Sequence, residues 1–135
     1  MLGDGSIVLH WVACSLDSVR NRLDEYGAGF FATEQRARPY DDLERLSQDM
    51  DSLTEHLPGE LGPEHEAVAA LAGARVAVRD IVEKLGLLRD PDRQGAFDVQ
   101  KLVDATIEQV AEKRAIFDAC RDRYMDAVRA SPRKE

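Results

Sequence analysis

Three residues whose side chains can bind a metal ion or react as nucleophiles are His10, Cys14 and Cys120. His10 and Cys14 are four residues apart, so a helix would place both side chains on one face. If the first and last helical segments are antiparallel neighbours, Cys14 and Cys120 lie at similar heights. An imidazole and two thiolates could then bind a soft divalent metal ion.

The two cysteines also have simpler interpretations. No Cys-x-x-Cys spacing is present, and no fourth metal ligand is evident. Buried, unreactive thiols are therefore the preferred interpretation, and a disulfide between Cys14 and Cys120 is another. A metal or small-ligand site around His10, Cys14 and Cys120 is kept as the alternative, and no cofactor is predicted.

Histidines and acidic residues also flank the connection at residues 58–63, where proline and glycine predict a solvated loop. They are His56, Glu60, Glu64, His65 and Glu66. Di-iron bundles need Glu-x-x-His motifs on paired helices, and none occurs in this sequence. With no catalytic motif found, the sequence predicts a non-enzymatic protein.

The formal net charge is −8 at pH 7, and residues 31–62 hold eight acidic and three basic residues. This balance disfavours nucleic acid as a partner, because phosphate binding depends on clustered Lys and Arg. An acidic face most often keeps a small protein in solution. Its functional interpretation is a basic protein partner that binds Asp42, Glu44 and Asp49.

Aromatic residues suggest a second part of the same binding surface. Phe30 fits the apolar stripe of its segment but Phe31 does not, so at least one ring is expected to be exposed beside Gly29. The stretch from Ile7 to Cys14 is apolar on nearly all sides, which indicates either deep burial or a partner surface, and burial is the preferred interpretation.

Apolar residues recur at spacings of three and four in four segments, which predicts an all-α fold. The narrowest stripe has polar residues at nearly every position between its members, as in a coiled-coil seam. It consists of Leu43, Leu46, Met50, Leu53 and Leu57. We predict an antiparallel up-down-up-down four-helix bundle with left-handed heptad packing, formed by helices at about 6–30, 39–57, 63–88 and 96–130 in a single domain of residues 1–135.

Local signals set these boundaries. Ser6 is the predicted N-cap of the first helix, and Pro39 and Pro63 suit first helical turns. Residues 31–38 are predicted as a loop with some helical turn. Arg75 and Arg79 lie one turn apart and could form an anion site or pair with a carboxylate of another helix, and pairing is the preferred interpretation.

The fourth segment is longer than the second, so part of it needs another cover. Either residues 31–38 or a second copy of the chain supplies that cover, which makes a homo-oligomer, in the simplest case a homodimer, an open alternative.

These observations together predict a protein–protein interaction module that presents an acidic helix to its partner. Regulators, inhibitors, immunity-type proteins and adaptors all fit this description. No signal-peptide pattern is visible, and no apolar run approaches the roughly 20 residues of a membrane-spanning helix. We therefore expect a cytoplasmic protein with no membrane partner.

Overall fold

The computed structural model describes residues 2–89 and 98–130, with side chains from Gly5 onward. Within these ranges the chain forms four α-helices, one 3₁₀ segment and no strand. The helices are α1 (Leu2–Tyr26), α2 (Glu34–Leu61), α3 (Glu66–Gly86) and α4 (Val99–Ala130), and the 3₁₀ segment is Gly27–Phe31. The all-α, four-helix prediction is confirmed. None of the helices in these ranges is long and apolar enough to cross a membrane.

Helix α1 begins earlier than predicted and ends at a glycine. Ser6 lies inside the helix, and its hydroxyl donates to Sδ of Met125 in α4 at 3.3 Å, so its assignment as the N-cap was wrong. Gly27 has a φ of +54°, a left-handed conformation that glycine adopts without a Cβ penalty. The α-helix therefore stops at Tyr26, and the tighter 3₁₀ segment follows.

Helix α2 extends beyond its predicted range of 39–57 at both ends. Its N-cap is Thr33, whose Oγ1 accepts a hydrogen bond from the Arg36 amide at 3.1 Å. Gly62, with a φ of +94°, ends the helix and donates its amide to the Pro58 carbonyl at 2.8 Å. The loop predicted over residues 31–38 is therefore mostly helical.

Pro39 lies inside α2 instead of in its first turn. A proline has no amide hydrogen to donate to the carbonyl four residues earlier, which here belongs to Gln35. Nη1 of Arg22, from α1, donates to that carbonyl at 2.5 Å. Helix α1 thus supplies the donor that Pro39 lacks, which allows α2 to begin before the proline.

Side chains cap α3 and α4 at their N-termini. Nδ1 of His65 accepts from the Ala67 amide at 3.1 Å, so α3 begins at Glu66 and not at Pro63. Oδ1 of Asp98 accepts from the Lys101 amide at 3.2 Å beside the start of α4. The predicted start of this helix at residue 96 lies outside the described residues.

Each helix packs on two others. Helix α1 contacts α2 and α4, and α3 contacts the same two helices. Ser6, near the start of α1, contacts Met125, near the end of α4. Buried apolar side chains from all four helices, together with Phe30, form one core. The up-down-up-down order and the left-handed heptad packing remain predictions.

Polar residues of the α4 stripe have partners. Thr106 is buried, and its hydroxyl donates to the Leu102 carbonyl at 2.8 Å. Nζ of Lys113 lies 3.2 Å from Oδ2 of Asp80 on α3. Both residues therefore remain in the stripe without an unpaired polar group.

The 3₁₀ segment and the longer α2 reduce the length mismatch. The 3₁₀ segment packs against α4 next to Val103. Helix α2 has 28 residues, about 42 Å at 1.5 Å per residue. The sequence analysis placed the ends of α2 too close together, and the predicted α2 was therefore too short to cover the whole of α4.

Candidate functional site

The structure separates the predicted metal ligands. Nε2 of His10 lies 3.7 Å from Sγ of Cys14, as their spacing predicted. Cys120 faces α3 instead, where a Cβ built on Gly73 would lie 2.8 Å from its Sγ. Among the described residues, no three histidine, cysteine or acidic side chains are grouped to hold a metal ion. The structure therefore does not bring His10, Cys14 and Cys120 together as one group.

The predicted burial of the thiols was wrong for Cys14, whereas Cys120 packs against the core. Cys14 is exposed, Cys120 is half-buried and neither forms a disulfide. The cause is the direction of each helix face: Cys14 lies on the side of α1 that meets α2 and solvent, whereas Cys120 lies on the side of α4 that meets α3.

Phe30 and Phe31 anchor the 3₁₀ segment to the bundle. Phe30 has no exposed surface. The half-buried ring of Phe31 lies edge-on to Phe30 at 4.9 Å and to Tyr40 at 5.1 Å between centroids. The guanidinium of Arg89 covers both Phe31 and Tyr40, at 5.1 and 5.0 Å from the ring centroids. Phe30 is thus removed from the predicted partner surface, and Phe31 offers it little area.

The three predicted acidic residues do not share one face of α2. Asp42 and Asp49 are seven residues apart and fall on the same side of the helix. Glu44 lies on another side, next to the Tyr40 hydroxyl. Burial, followed by the charge and hydrogen bond of Glu44, raises the pKa of Tyr40 above its ordinary value of 10.0. Asp42 and Asp49 therefore remain candidates for one acidic binding surface, whereas Glu44 lies beside Tyr40.

The predicted pairing of Arg75 and Arg79 with a carboxylate of another helix is confirmed by Asp51 of α2. Asp51 pairs with Nε of Arg75 and, at 3.0 Å, with Nη2 of Arg79. The hydrogen bond from Arg75, together with both positive charges, holds the pKa of Asp51 below its ordinary 3.8 despite some burial. This ion-pair network ties α2 to α3 and neutralises Asp51.

The exposed aromatic side chain is Trp11, which the sequence had placed in the interior. Trp11 and Ile7 are each 56% exposed and lie one turn apart on α1. A neighbouring stripe of α1, which contains Leu9, Val12 and Leu16, packs into the core instead. A stretch that is apolar all round cannot be buried all round when only two helices cover it.

A groove runs between α1 and α2 beside these residues. One depression in it is lined by Trp11, Cys14, Ser15, Ser18 and Arg22 of α1 with Arg38, Pro39 and Asp42 of α2. A second depression is lined by Val8 of α1 with Asp49, Ser52, Leu53, His56 and Glu60 of α2. We call these two depressions, together with the exposed Ile7, the α1–α2 groove. It joins Trp11 to the acidic side of α2.

The other large exposed apolar side chains in the described part of the chain are Val76 of α3, at 55%, and Ile116 of α4, at 43%. They lie at similar heights, because the Gly73–Cys120 and Asp80–Lys113 contacts fall on either side of them. They are aliphatic, and the nearby Asp80–Lys113 pair leaves little net charge beside them. Val76 and Ile116 therefore serve as a comparison for the α1–α2 groove.

Comparison with known proteins adds no family to this description. No protein-family model, no curated protein and no solved structure matches the chain.

Proposed function

We propose that this protein is a non-enzymatic protein–protein interaction module and that the α1–α2 groove is its binding surface. The observation that supports this most directly is the exposure of Trp11, which lines one depression together with Asp42. Tryptophan is enriched among interface residues that dominate binding energy, because its large ring excludes much water on burial.

The charge of α2 favours a basic partner. Residues 46–61 contain four acidic residues and neither Lys nor Arg. Opposite charges across an interface speed association and exclude partners of the wrong sign. A regulator, inhibitor, immunity-type protein or adaptor would use such a surface, and the proposal includes a cytoplasmic location.

The test is quantitative affinity capture from the native host with three baits: the wild-type protein, Trp11→Ala and Ile116→Ala. Ile116→Ala is the matched control, because it also removes an exposed apolar side chain but from another face. We expect at least one protein that the wild-type and Ile116→Ala baits retain and that Trp11→Ala retains at least tenfold less. If every captured protein is retained equally by all three baits, the α1–α2 groove is not the binding surface.

Self-association into a homo-oligomer is a second proposal, supported by the exposed Val76 of α3. Light scattering at micromolar concentration tests it. A dimer mass that returns to the monomer mass in Val76→Glu would support this proposal, and a monomer mass of the wild-type protein would contradict it.

A further inference from the structure

We infer that the occupant of the α1–α2 groove is a basic amphipathic helix of the partner protein. This inference rests on the proposed function, and it adds the shape, the polarity and the charge of the segment that binds.

The side of α2 that lines the groove alternates apolar residues with acidic ones. Six residues at spacings of four, three, four, three and four share this side: Asp42, Leu46, Asp49, Leu53, His56 and Glu60. Leu46 and Leu53 are only partly buried, although they pack against the core. The apolar stripe of α2 therefore has three buried members, Leu43, Met50 and Leu57, and two at its boundary, Leu46 and Leu53, which remain open to a ligand.

Helix α1 contributes apolar surface opposite this row. Val8 lines the depression that contains Leu53, and Trp11 lines the depression that contains Asp42. Ile7 extends the apolar surface by a further turn. Two packed helices form a linear channel between their side-chain ridges, and a third helix fits such a channel with its apolar residues at spacings of three and four. The described residues include no strand edge that an extended peptide could join.

The charge of the second depression favours a basic helix, because Asp49 and Glu60 line it and no Lys or Arg does. The first depression is lined by Arg22 and Arg38 together with Asp42. Asp51, on another side of α2, is paired with two arginines, but Asp49 forms no ion pair within the described residues. In the described part of the chain, Asp42 is paired only within its own helix, with the exposed Arg45 at 3.0 Å. Lysine or arginine residues on the flanks of a bound helix would lie beside Asp49 and Glu60. An acidic helix or an anionic membrane surface would meet the same carboxylates at a cost.

Tryptophan fluorescence gives a direct test, because Trp11 is the single tryptophan of the chain. Three synthetic peptides without tryptophan serve as probes. The first has leucine at every third or fourth position and lysine elsewhere. The second has the same pattern with glutamate in place of lysine. The third contains the residues of the first in an order that gives no apolar face.

We expect the first peptide to shift Trp11 emission to the blue with a saturable dependence on concentration. The other two should bind at least tenfold more weakly. Asp49→Lys/Glu60→Lys should weaken the first peptide at least tenfold, whereas Glu83→Lys, a charge reversal on an exposed residue of α3, should change its binding less than twofold. Circular dichroism of each variant checks that the helices are intact.

Three results would overturn the inference. These are equal binding of the acidic peptide, equal binding of the scrambled peptide, or no emission change with any of the three. All three leave the proposed function to be judged separately, because the capture experiment compares Trp11→Ala with Ile116→Ala and does not depend on the peptide class.

Discussion

At the scale of single residues, two aromatic side chains, Phe30 and Trp11, differ in their exposure to solvent. Phe30 has no exposed surface, whereas Trp11 is 56% exposed. Trp11 lies in a stretch of α1 that is apolar on nearly all sides, and its exposure depends on which helices cover that side of α1. Sequence periodicity could therefore identify the core residues Leu9 and Leu16 but not the exposure of Trp11.

This difference in exposure predicts that replacing the two residues changes stability by very different amounts. Phe30→Ala should lower the free energy of unfolding by about 3–5 kcal/mol, because it leaves a cavity in a packed core. Trp11→Ala should change it by about 0.5 kcal/mol or less, since exposed positions contribute little. Urea denaturation followed by circular dichroism measures both. Comparable losses in the two variants would mean that Trp11 belongs to the core.

Asp51 predicts a specific acid sensitivity. The lowered pKa of its carboxyl means that its pairing with Arg75 and Arg79 stabilises the fold above its ordinary pKa of 3.8. That contribution is lost as the pH falls through the folded-state pKa. The melting temperature of the wild-type protein should exceed that of Asp51→Asn at neutral pH. This difference in melting temperature should become smaller as the pH falls below about 4.

Asp49→Asn is the matched control, because Asp49 is an exposed carboxylate on the same helix outside any described ion pair. It should melt close to the wild-type protein at neutral pH. A difference between Asp51→Asn and the wild-type protein that persists unchanged at low pH would show that the ion pairs are not its source.

At the scale of the helices, the sequence predicted the four helices correctly but misplaced their ends. Pro39 was used as a start signal, as proline usually is in a first turn. It lies inside α2 because Arg22, 17 residues earlier on another helix, donates to the Gln35 carbonyl. A contact between helices cannot be read from local signals, so this boundary could not be predicted.

The Arg22–Gln35 hydrogen bond predicts coupling between Arg22 and Pro39. Arg22→Ala should lower the free energy of unfolding by about 1–2 kcal/mol, because the Gln35 carbonyl loses its donor. In Pro39→Ala, the restored amide can donate to the same carbonyl, so Arg22→Ala should then cost much less. A double-mutant cycle by urea denaturation measures this coupling. Additive effects would exclude the proposed compensation.

The approach of α3 to α4 at Gly73 predicts a second effect. Gly73→Ala should destabilise the protein, because the new Cβ would lie 2.8 Å from Sγ of Cys120. Cys120→Ala in the same chain should recover part of the loss by removing that sulfur. Gly59→Ala, within α2 and with no atom within 4 Å of its Cβ, is the control and should stabilise by up to about 1 kcal/mol. Thermal melts compare the variants, and a neutral Gly73→Ala would contradict the close packing.

At the scale of the whole molecule, composition and periodicity were sufficient to predict an all-α protein with four helices. They also located the excess negative charge on α2. They could not predict which sides of α1 and α2 remain open, because that depends on how the four helices are arranged around the core. The candidate site therefore kept Asp42 and Asp49 from the sequence prediction, lost Phe30 and gained Trp11.

The central claim is that the α1–α2 groove, with Trp11 in it, contacts the partner. Replacing Trp11 with 5-fluorotryptophan labels one position of this chain, because the sequence contains a single tryptophan, and leaves the partner unlabelled. Fluorine NMR then reports on that position alone. With a saturating amount of the captured partner, we predict that the resonance shifts and loses its sensitivity to exchange of H₂O for D₂O as the ring leaves water. An unchanged resonance in a complex that demonstrably forms would contradict the claim.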